Sequence, residues 1–348
     1  MLLSMIKAGI IGATGYAGAE LVRILTMHPL TEISALSSIS FEGQKLTDIY
    51  PSYMFVTDLV CENLQTVVEK SDIVFAALPH GLSQDIAAFC YKKDRIFIDL
   101  GADFRLLDES VYREWYHGSF IHSELHEQAV YGLPELFRKS IQNRAIIANP
   151  GCYATCVSLG LAPAVMMSLV EITGIVCDCK SGVTGAGRVL SQTTHFAELN
   201  EGFGPYKIAC HRHTPEIEQT LSLFAKNKVT LTFVPHLLPV NRGILATCYG
   251  RVREGITFEY IREVYNAFYR DEPFIRLLPQ DAAANIHSVK YSNFCDISLH
   301  FDNRTNTLIV VSAIDNMVKG AAGQAVQNMN VLFNIDEKTG LVSVPPAF

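Results

Sequence analysis

Two short stretches hold residues whose types and spacing could do covalent chemistry. In Asn149-Pro150-Gly151-Cys152-Tyr153-Ala154-Thr155-Cys156 an apolar run stops at a Pro-Gly turn, and residues 157–167 resume with helical periodicity. Cys152 is therefore expected at or next to a helix N-terminus. There the unpaired N–H groups and the helix dipole favour a thiolate over a thiol, which is the setting of a nucleophile. The plain alternative is a core cysteine, since free cysteines are among the most buried residues. The second stretch is Cys210-His211-Arg212-His213-Thr214-Pro215-Glu216-Ile217. With Thr214 as N-cap and Pro215 at the first helical position, both histidines fall just before a helix. Histidine titrates near neutrality and arginine offers a fixed donor fork, so His211, Arg212 and His213 suit acid/base work and anion binding. Two exposed surface histidines are the alternative. No metal is expected, because no further Cys, Asp or Glu stands at ligand spacing nearby.

A third stretch could hold a cofactor. Residues 8–11 are apolar and lead directly into Gly12-Ala13-Thr14-Gly15-Tyr16-Ala17-Gly18, after which Leu21, Ile24 and Leu25 mark one helical face. Strand, glycine turn and helix together bind phosphate: the turn brings backbone N–H groups to the anion and the helix N-terminus adds partial positive charge. Gly9, Gly12, Gly15 and Gly18 fall at three-residue intervals, a variant of the dinucleotide fingerprint. Gly12, Thr14, Gly15, Tyr16 and Gly18 are the candidate contacts. A second strand is expected over residues 32–36. Where an NAD site usually has an acid, this chain has Ser37-Ser38-Ile39-Ser40. Ser37 and Ser38 leave room for a 2′-phosphate and can donate to it, so NADP is the expected cofactor.

These stretches need elements to position them. Strands expected over residues 73–78 and 96–100, separated by a helix over 82–91, imply a parallel sheet with helices on both faces, a Rossmann-type domain. The loops after them, Pro79-His80-Gly81 and Gly101-Ala102-Asp103-Phe104-Arg105, face the ligand. Pro79 is a cofactor candidate and Arg105 an anion holder, with a salt bridge to Asp103 or Asp108 as Arg105's alternative. Residues 109–127 read as a polar, irregular connection. Beyond Cys152, strands over 174–181, 229–235, 243–252 and 307–314 with helices over 216–224 and 257–269 predict an α+β domain with a mixed sheet. Its loop Ser181-Gly182-Val183-Thr184-Gly185-Ala186-Gly187-Arg188 passes close to a ligand, with Gly185 as the contact. A small-residue helix opening at Asp315-Asn316 is expected to return to the first domain and place Asn316 near the cofactor. The expected division is 1–149 with 316–348 for the cofactor and 150–315 for catalysis and oligomerisation.

Composition bounds the reading. The 348 residues exceed the usual size of a single core, and 49% hydrophobic with 18% charged describes a folded α/β protein. A net charge of −7 argues against broad binding to nucleic acid or anionic membranes. Nine dispersed cysteines without a CxxC pair suit reduced thiols. No apolar run reaches the ~18 residues of a membrane span. A cytoplasmic location is expected.

In order along the chain, GIIGATGYAGAELVRIL, LPHG, GADFRL, YGLPEL, NPGCYAT, SGVTGAG, HRHTPEI and DNMVKGAAGQA closely resemble the N-acetyl-gamma-glutamyl-phosphate reductase family of the semialdehyde dehydrogenase group. The resemblance implies Cys152 as nucleophile and His211 as acid/base, with His213 close by. It implies an acyl phosphate as substrate, a cysteine thioester as intermediate and NADPH as reductant. Arg105, Arg188, Arg212 and Arg242 are candidates for the substrate's phosphate and carboxylate. A dimer or tetramer is expected. Two departures stand out: position 156 is Cys where the family usually has Gly or Ala, and the loop after the second strand lacks an arginine often found there.

Overall fold

The computed structural model describes residues 5–347. They divide into two compact units, 5–150 with 321–342 and 151–320 with 343–347. The first unit is a seven-stranded sheet built from β1 (Ile6–Ile11), β2 (Thr31–Ser37), β3 (Cys61–Glu62), β4 (Ile73–Ala76), β5 (Ile96–Asp99), β6 (Val130–Tyr131) and β7 (Ile146–Ala148). Its order is β3-β2-β1-β4-β5-β7-β6, and every pairing is parallel. The helices are α1 (Tyr16–Thr26), α2 (Leu46–Ile49), α3 (Leu64–Lys70), α4 (Gln84–Lys92), α5 (Glu109–Tyr116), α6 (Ser123–Gln128) and α7 (Pro134–Ile141). β4 is buried along its whole length, as a strand covered on both faces must be, which is why it reads as unbroken apolar sequence. The chain reverses strand order between β1 and β4, the switch point where α/β sheets take ligands.

Residues 109–127 are not the irregular connection their polarity suggested. Asp108 caps α5 by accepting from Ser110 N–H, and Tyr112 and Tyr116 bury one stacked face of that helix. In α6, His126 is buried with its ring stacked on Phe120. Charged residues on the outer faces masked this packing in the sequence.

The second unit holds β8 (Ile175–Gly182), β9 (Gly204–Pro205), β10 (Leu231–Leu238), β11 (Ile244–Arg251), β12 (Ile275–Leu277), β13 (Cys295–Asp302) and β14 (Thr307–Ile314). Their order is β12-β13-β14-β11-β8-β10-β9, a mixed sheet. Its helices are α8 (Cys152–Met166), α9 (Phe196–Leu199), α10 (His213–Ala225) and α11 (Phe258–Tyr269). In β8, Ile175, Cys177 and Cys179 turn inward while Val176, Asp178 and Lys180 face out. α8 is buried from Tyr153 to Val165, so its sequence is apolar on all sides. Pro163 inside it removes the N–H that Leu159 C=O would take, and the Tyr269 hydroxyl donates to that carbonyl instead.

After β14, Asp315 Oδ1 accepts from Met317 and Val318 N–H and starts a wide turn, followed by α12 (Gly323–Leu332) in the first unit. Residues 316–320 and 343–347 thus belong to the second unit and not, as the small-residue helix opening at Asp315-Asn316 suggests, to the first. α12 is buried on every side although it carries four amides. Asn328 donates to Gly132 C=O and Asn149 Oδ1, Gln327 to Glu135, and Asn330 to the carbonyls of Glu337 and Thr339. Hydrogen bonding makes the burial of these three amides tolerable, whereas the fourth, Gln324, is buried with neither amide atom hydrogen-bonded among the described residues.

Candidate active site

In the first unit the glycine turn joins β1 to α1. Gly12 has φ +82°, and a Cβ there would meet Ala77 O at 2.4 Å. A Cβ on Gly18 would lie 2.2 Å from Gly12 O, so its absence lets α1 close on the turn. Gly15 is different: it caps α1, and a Cβ there meets only Gly12 O, at 3.4 Å. The first turn of α1 has neither an acidic residue nor a side-chain cap, which leaves its N–H groups to an anion. Thr14 and Ser38 hydroxyls bond at 2.6 Å, and Ser37 C=O accepts from Gly12 and Ala13 N–H. Tyr16 stands partly exposed at the first helical position. No acid follows β2 before Glu42. These features fit a dinucleotide with a 2′-phosphate.

Two carboxylates that the sequence did not single out fasten the loops around β4 and β5. Asp103 accepts from Gly81 N–H at 2.6 Å, Ser83 N–H at 2.9 Å and the Tyr112 hydroxyl at 3.0 Å. It therefore holds the approach to α4. Asp99 Oδ1 accepts from the Ser83 hydroxyl and Gly101 N–H, while its Oδ2 is buried without a hydrogen bond among the described residues. Burial, then the neighbouring Asp103 charge, pushes the Asp99 carboxyl up to about 6. Pro79 is exposed on the same loop. Arg105 donates from Nε to Asn149 C=O and from Nη2 to Leu100 C=O, both at 2.8 Å. Asn149 is held at every group. Its N–H donates to Asp99 C=O, its Nδ2 to Ala321 C=O, and its Oδ1 accepts from Asn328.

In the second unit Cys152 is the first residue of α8, with Gly151 as an extended N-cap. Gly151 N–H donates to the buried Glu216 carboxylate at 2.7 Å, which fixes the turn from the side of α10. A Cβ on Gly320 would sit 2.8 Å from Cys152 Cβ, so a side chain there would press on Cys152. Cys156, one turn on, is fully buried; its thiol lies 3.4 Å from Ser312 C=O, and burial pushes its pKa up. It is a packing residue. Cys177 and Cys179 are likewise buried, with Cys177 directly opposite Cys248 across β8 and β11.

α10 begins at His213 with Arg212 as N-cap, two residues earlier than expected, and Pro215 is accommodated because first-turn N–H groups need no helical acceptor. His211 is ringed by Tyr153, Tyr206, Phe233 and His213, with centroids 4.8 to 5.7 Å away. His213 N–H donates to His211 Nδ1 at 3.1 Å. Burial, followed by the charges of His213, Lys207 and Arg212, pushes His211 down to about 2. The Tyr206 hydroxyl donates to that of Tyr153 at 3.2 Å, and burial pushes Tyr206 up to about 12. Both tyrosines stay neutral beside the cysteine. Gly185 and Asn316 lie side by side: Asn316 Nδ2 donates to Thr184 Oγ1 and its Oδ1 accepts from Gly243 N–H. Arg242 is engaged 3.5 Å from Asp315 and over the Tyr291 ring. Among the described residues no His, Cys, Asp and Glu cluster is arranged to hold a metal. Glu216, Tyr206 and Gly320 join the site only through the tertiary structure. The HRHTPE run did contain a signal for Glu216, an acid one turn after the histidines.

A glycine cradle in one unit and a helix-heading cysteine beside paired histidines in the other define the semialdehyde dehydrogenase class. Residues 7–144 match the family model for the semialdehyde dehydrogenase NAD binding domain, and residues 152–316 match that for the semialdehyde dehydrogenase dimerisation domain. Crystal structures of aspartate semialdehyde dehydrogenases share the fold. The Vibrio cholerae enzyme II complexed with ASA has a TM-score of 0.74 at 16% identity, covering 95% of this chain and 99% of its own. The Candida albicans enzyme with NADP has a TM-score of 0.70 at 16% identity, covering 94% and 98%. Sequence relatives are nearer. N-acetyl-gamma-glutamyl-phosphate reductase of Clostridium botulinum is 54% identical over 99% of this chain and 100% of its own length. That of Brachyspira hyodysenteriae is 51% identical over the same shares. The chain belongs to the N-acetyl-gamma-glutamyl-phosphate reductase family.

Proposed function

We propose that this protein reduces N-acetyl-gamma-glutamyl phosphate to N-acetylglutamate semialdehyde and phosphate, a step of arginine biosynthesis, with NADPH as reductant and Cys152 as nucleophile. The observation that carries the reading is Cys152 at the head of a buried helix, its turn held by Glu216, with His211 and His213 packed on its neighbour Tyr153. The Cys152 sulfur attacks the acyl carbon, the C–S bond forms, the C–O bond to phosphate breaks, and the thiol proton leaves with the phosphate. A thioester remains, which divides one difficult displacement into two easier steps. When bound, NADPH would supply hydride to the thioester carbon; the C–S bond then breaks as the aldehyde leaves, and the Cys152 thiolate regains the proton lost in acylation, for which His211 is the candidate donor. Backbone N–H groups at the head of α8 are suited to a developing oxyanion. The turn from Gly12 to Gly18 takes the dinucleotide phosphates, Ser37 and Ser38 the 2′-phosphate, and Tyr16, Pro79, Gly185 and Asn316 complete the cofactor contacts. Arg105, Arg212 and His213 take the anionic groups of the substrate.

Turnover in the oxidative direction tests this reading, with phosphate, NADP or NAD, and either N-acetylglutamate semialdehyde or aspartate semialdehyde. N-acetylglutamate semialdehyde with NADP is expected to be preferred. Equal or better turnover of aspartate semialdehyde overturns the substrate, and better turnover with NAD overturns the assignment of Ser37 and Ser38. We also infer a homo-oligomer through the outer face of the second sheet, where Val176 and Tyr249 lie exposed opposite each other. A monomeric mass by light scattering removes that inference. Nine cysteines without a disulfide among them support a cytoplasmic location, which cell fractionation checks. No helix among the described residues is long and apolar enough to cross a membrane.

A further inference from the structure

We propose that Tyr50 is a positioning residue for the cofactor: its hydroxyl clamps the Thr14–Gly15 peptide of the glycine turn, so that the turn meets the dinucleotide phosphates already set. The inference rests on the dinucleotide reading of residues 12–18 and adds a residue outside them. A glycine turn brings backbone close to phosphate, but the conformational freedom that permits this also leaves the turn loose. Each contact that fixes it before the ligand arrives lowers the ordering cost of binding.

A peptide unit is planar, with its C=O and N–H pointing in opposite directions. In the Thr14–Gly15 unit, Thr14 C=O accepts from the Tyr50 hydroxyl at 2.8 Å and Gly15 N–H donates to Gly12 C=O at 3.0 Å. Both edges of the plane are held, and it cannot turn without breaking one of these bonds. Gly15 caps α1, whose first bond runs from Ala19 N–H to Gly15 C=O. The N–H groups of Tyr16, Ala17 and Gly18 come before that bond, and first-turn N–H groups have no acceptor within the helix. They are the donors a phosphate meets, and the peptide plane just ahead of them sets how the chain enters the helix.

Tyr50 can hold the plane because its own backbone is fastened. It closes α2 with its N–H on Leu46 C=O at 2.8 Å, and its C=O accepts from Tyr53 N–H at 3.0 Å. Leu46 is fully buried and its N–H donates to Leu59 C=O. Pro51 follows directly, with its backbone φ locked by the ring. The Tyr50 and Tyr53 rings stand edge to face at 6.3 Å, and the Tyr53 hydroxyl donates to Ala19 C=O at 2.6 Å. Ser38, at the start of the same stretch, meets the Thr14 hydroxyl with its own. Residues 38–53 thus grip Thr14 by both its carbonyl and its hydroxyl. The two tyrosines provide an internal comparison: Tyr50 holds the turn, whereas Tyr53 holds α1 beyond the residues that take phosphate.

The test is calorimetric binding of NADP, NAD and adenosine 2′-monophosphate, which has the 2′-phosphate but no pyrophosphate, to the parent, Tyr50→Phe and Tyr53→Phe. Tyr50→Phe is expected to weaken NADP and NAD alike by ~3- to 10-fold, the size of one hydrogen bond in an equilibrium constant, and to leave adenosine 2′-monophosphate within ~2-fold. Its unfolding midpoint stays within a few degrees of the parent's. In turnover, KM for the cofactor rises while kcat at saturating cofactor is kept, because the loss is of uniform binding. Tyr53→Phe leaves all three affinities within ~2-fold of the parent. A Tyr50→Phe variant that binds NADP as tightly as the parent overturns the proposal. So does one that loses adenosine 2′-monophosphate in equal measure, as general damage to the first unit would bring about. Equal weakening of the dinucleotides by Tyr53→Phe also contradicts it. A parent that binds neither dinucleotide brings down the cofactor reading and the clamp with it, whereas an unchanged Tyr50→Phe beside a binding parent brings down the clamp alone.

Discussion

Asn149 shows how one residue can fix the end of a strand. Arg105 holds its carbonyl, Asp99 C=O takes its N–H, and its amide bridges Ala321 and Asn328. Three residues later comes Cys152, so the direction in which the chain leaves β7 is set by this network. Asn149→Ala removes two side-chain hydrogen bonds, a part-buried one to Ala321 C=O and a buried one from Asn328, and leaves one donor hydrogen of Asn328 and the Ala321 carbonyl without that partner. At ~1–3 kcal/mol for each stranded group, the variant is expected to lose about 2–4 kcal/mol of unfolding free energy. Urea denaturation measures this; a loss below about 0.5 kcal/mol, within the range of an ordinary surface change, contradicts the network argument.

At the scale of the element, the turn between β1 and α1 separates two uses of glycine. Gly18 is packing: a Cβ there would lie only 2.2 Å from Gly12 O, so no side chain fits between the helix and the turn. Gly15 has space around it, so packing does not demand it, and the proposed cofactor reading gives it a use: a bare backbone that can approach phosphate. Gly18→Ala is therefore expected to destabilise the first unit and weaken NADP binding together. Gly15→Ala should keep the melting temperature within a few degrees while weakening NADP roughly 10-fold or more, the size of one lost charge-assisted contact. Calorimetry of binding and of unfolding on the same two variants separates the effects, and equal thermal losses in both would refute the division of roles.

Across the whole molecule, buried titratable groups set opposing pH dependences. His126 is held down to about 4 from 6.5, chiefly by burial. As pH falls below about 6.5 the unfolded chain takes this proton first, so stability is lost until about pH 4. Asp99 is held up to about 6 from 3.8, so over the same window the folded state takes its proton first and stability is gained. The two compensate within the first unit. Asp99→Asn removes the gain and relieves an ionised carboxylate with one unsatisfied oxygen. The variant is expected to be more stable than the parent by up to about 3 kcal/mol near neutrality, and to lose that advantage as pH falls through about 6 to 4. Urea titrations at about pH 5 and 7.5 check the sign, and a difference between the proteins that does not change with pH rules out the linkage.

The sequence by itself determined what depends on neighbours along the chain. The glycine spacing, the Pro-Gly turn that puts Cys152 at a helix head, the order of the motifs and the alternation that makes a parallel sheet all follow from local propensity and from periodicities of two and 3.6 residues. Only the tertiary structure decided which distant groups complete these pieces. Glu216 reaches Gly151 across 65 residues and Asn328 reaches Asn149 across 179, separations over which spacing carries no information. Burial acted the same way. α8 and α12 lack an amphipathic stripe because each is covered on all sides, and α5 and α6 were hidden by charges on their outer faces. The histidine loop was legible as chemistry, but its hydrogen bonding was not. A backbone N–H two residues away in the chain donates to His211 Nδ1, and that depends on how the loop folds rather than on which residues it contains.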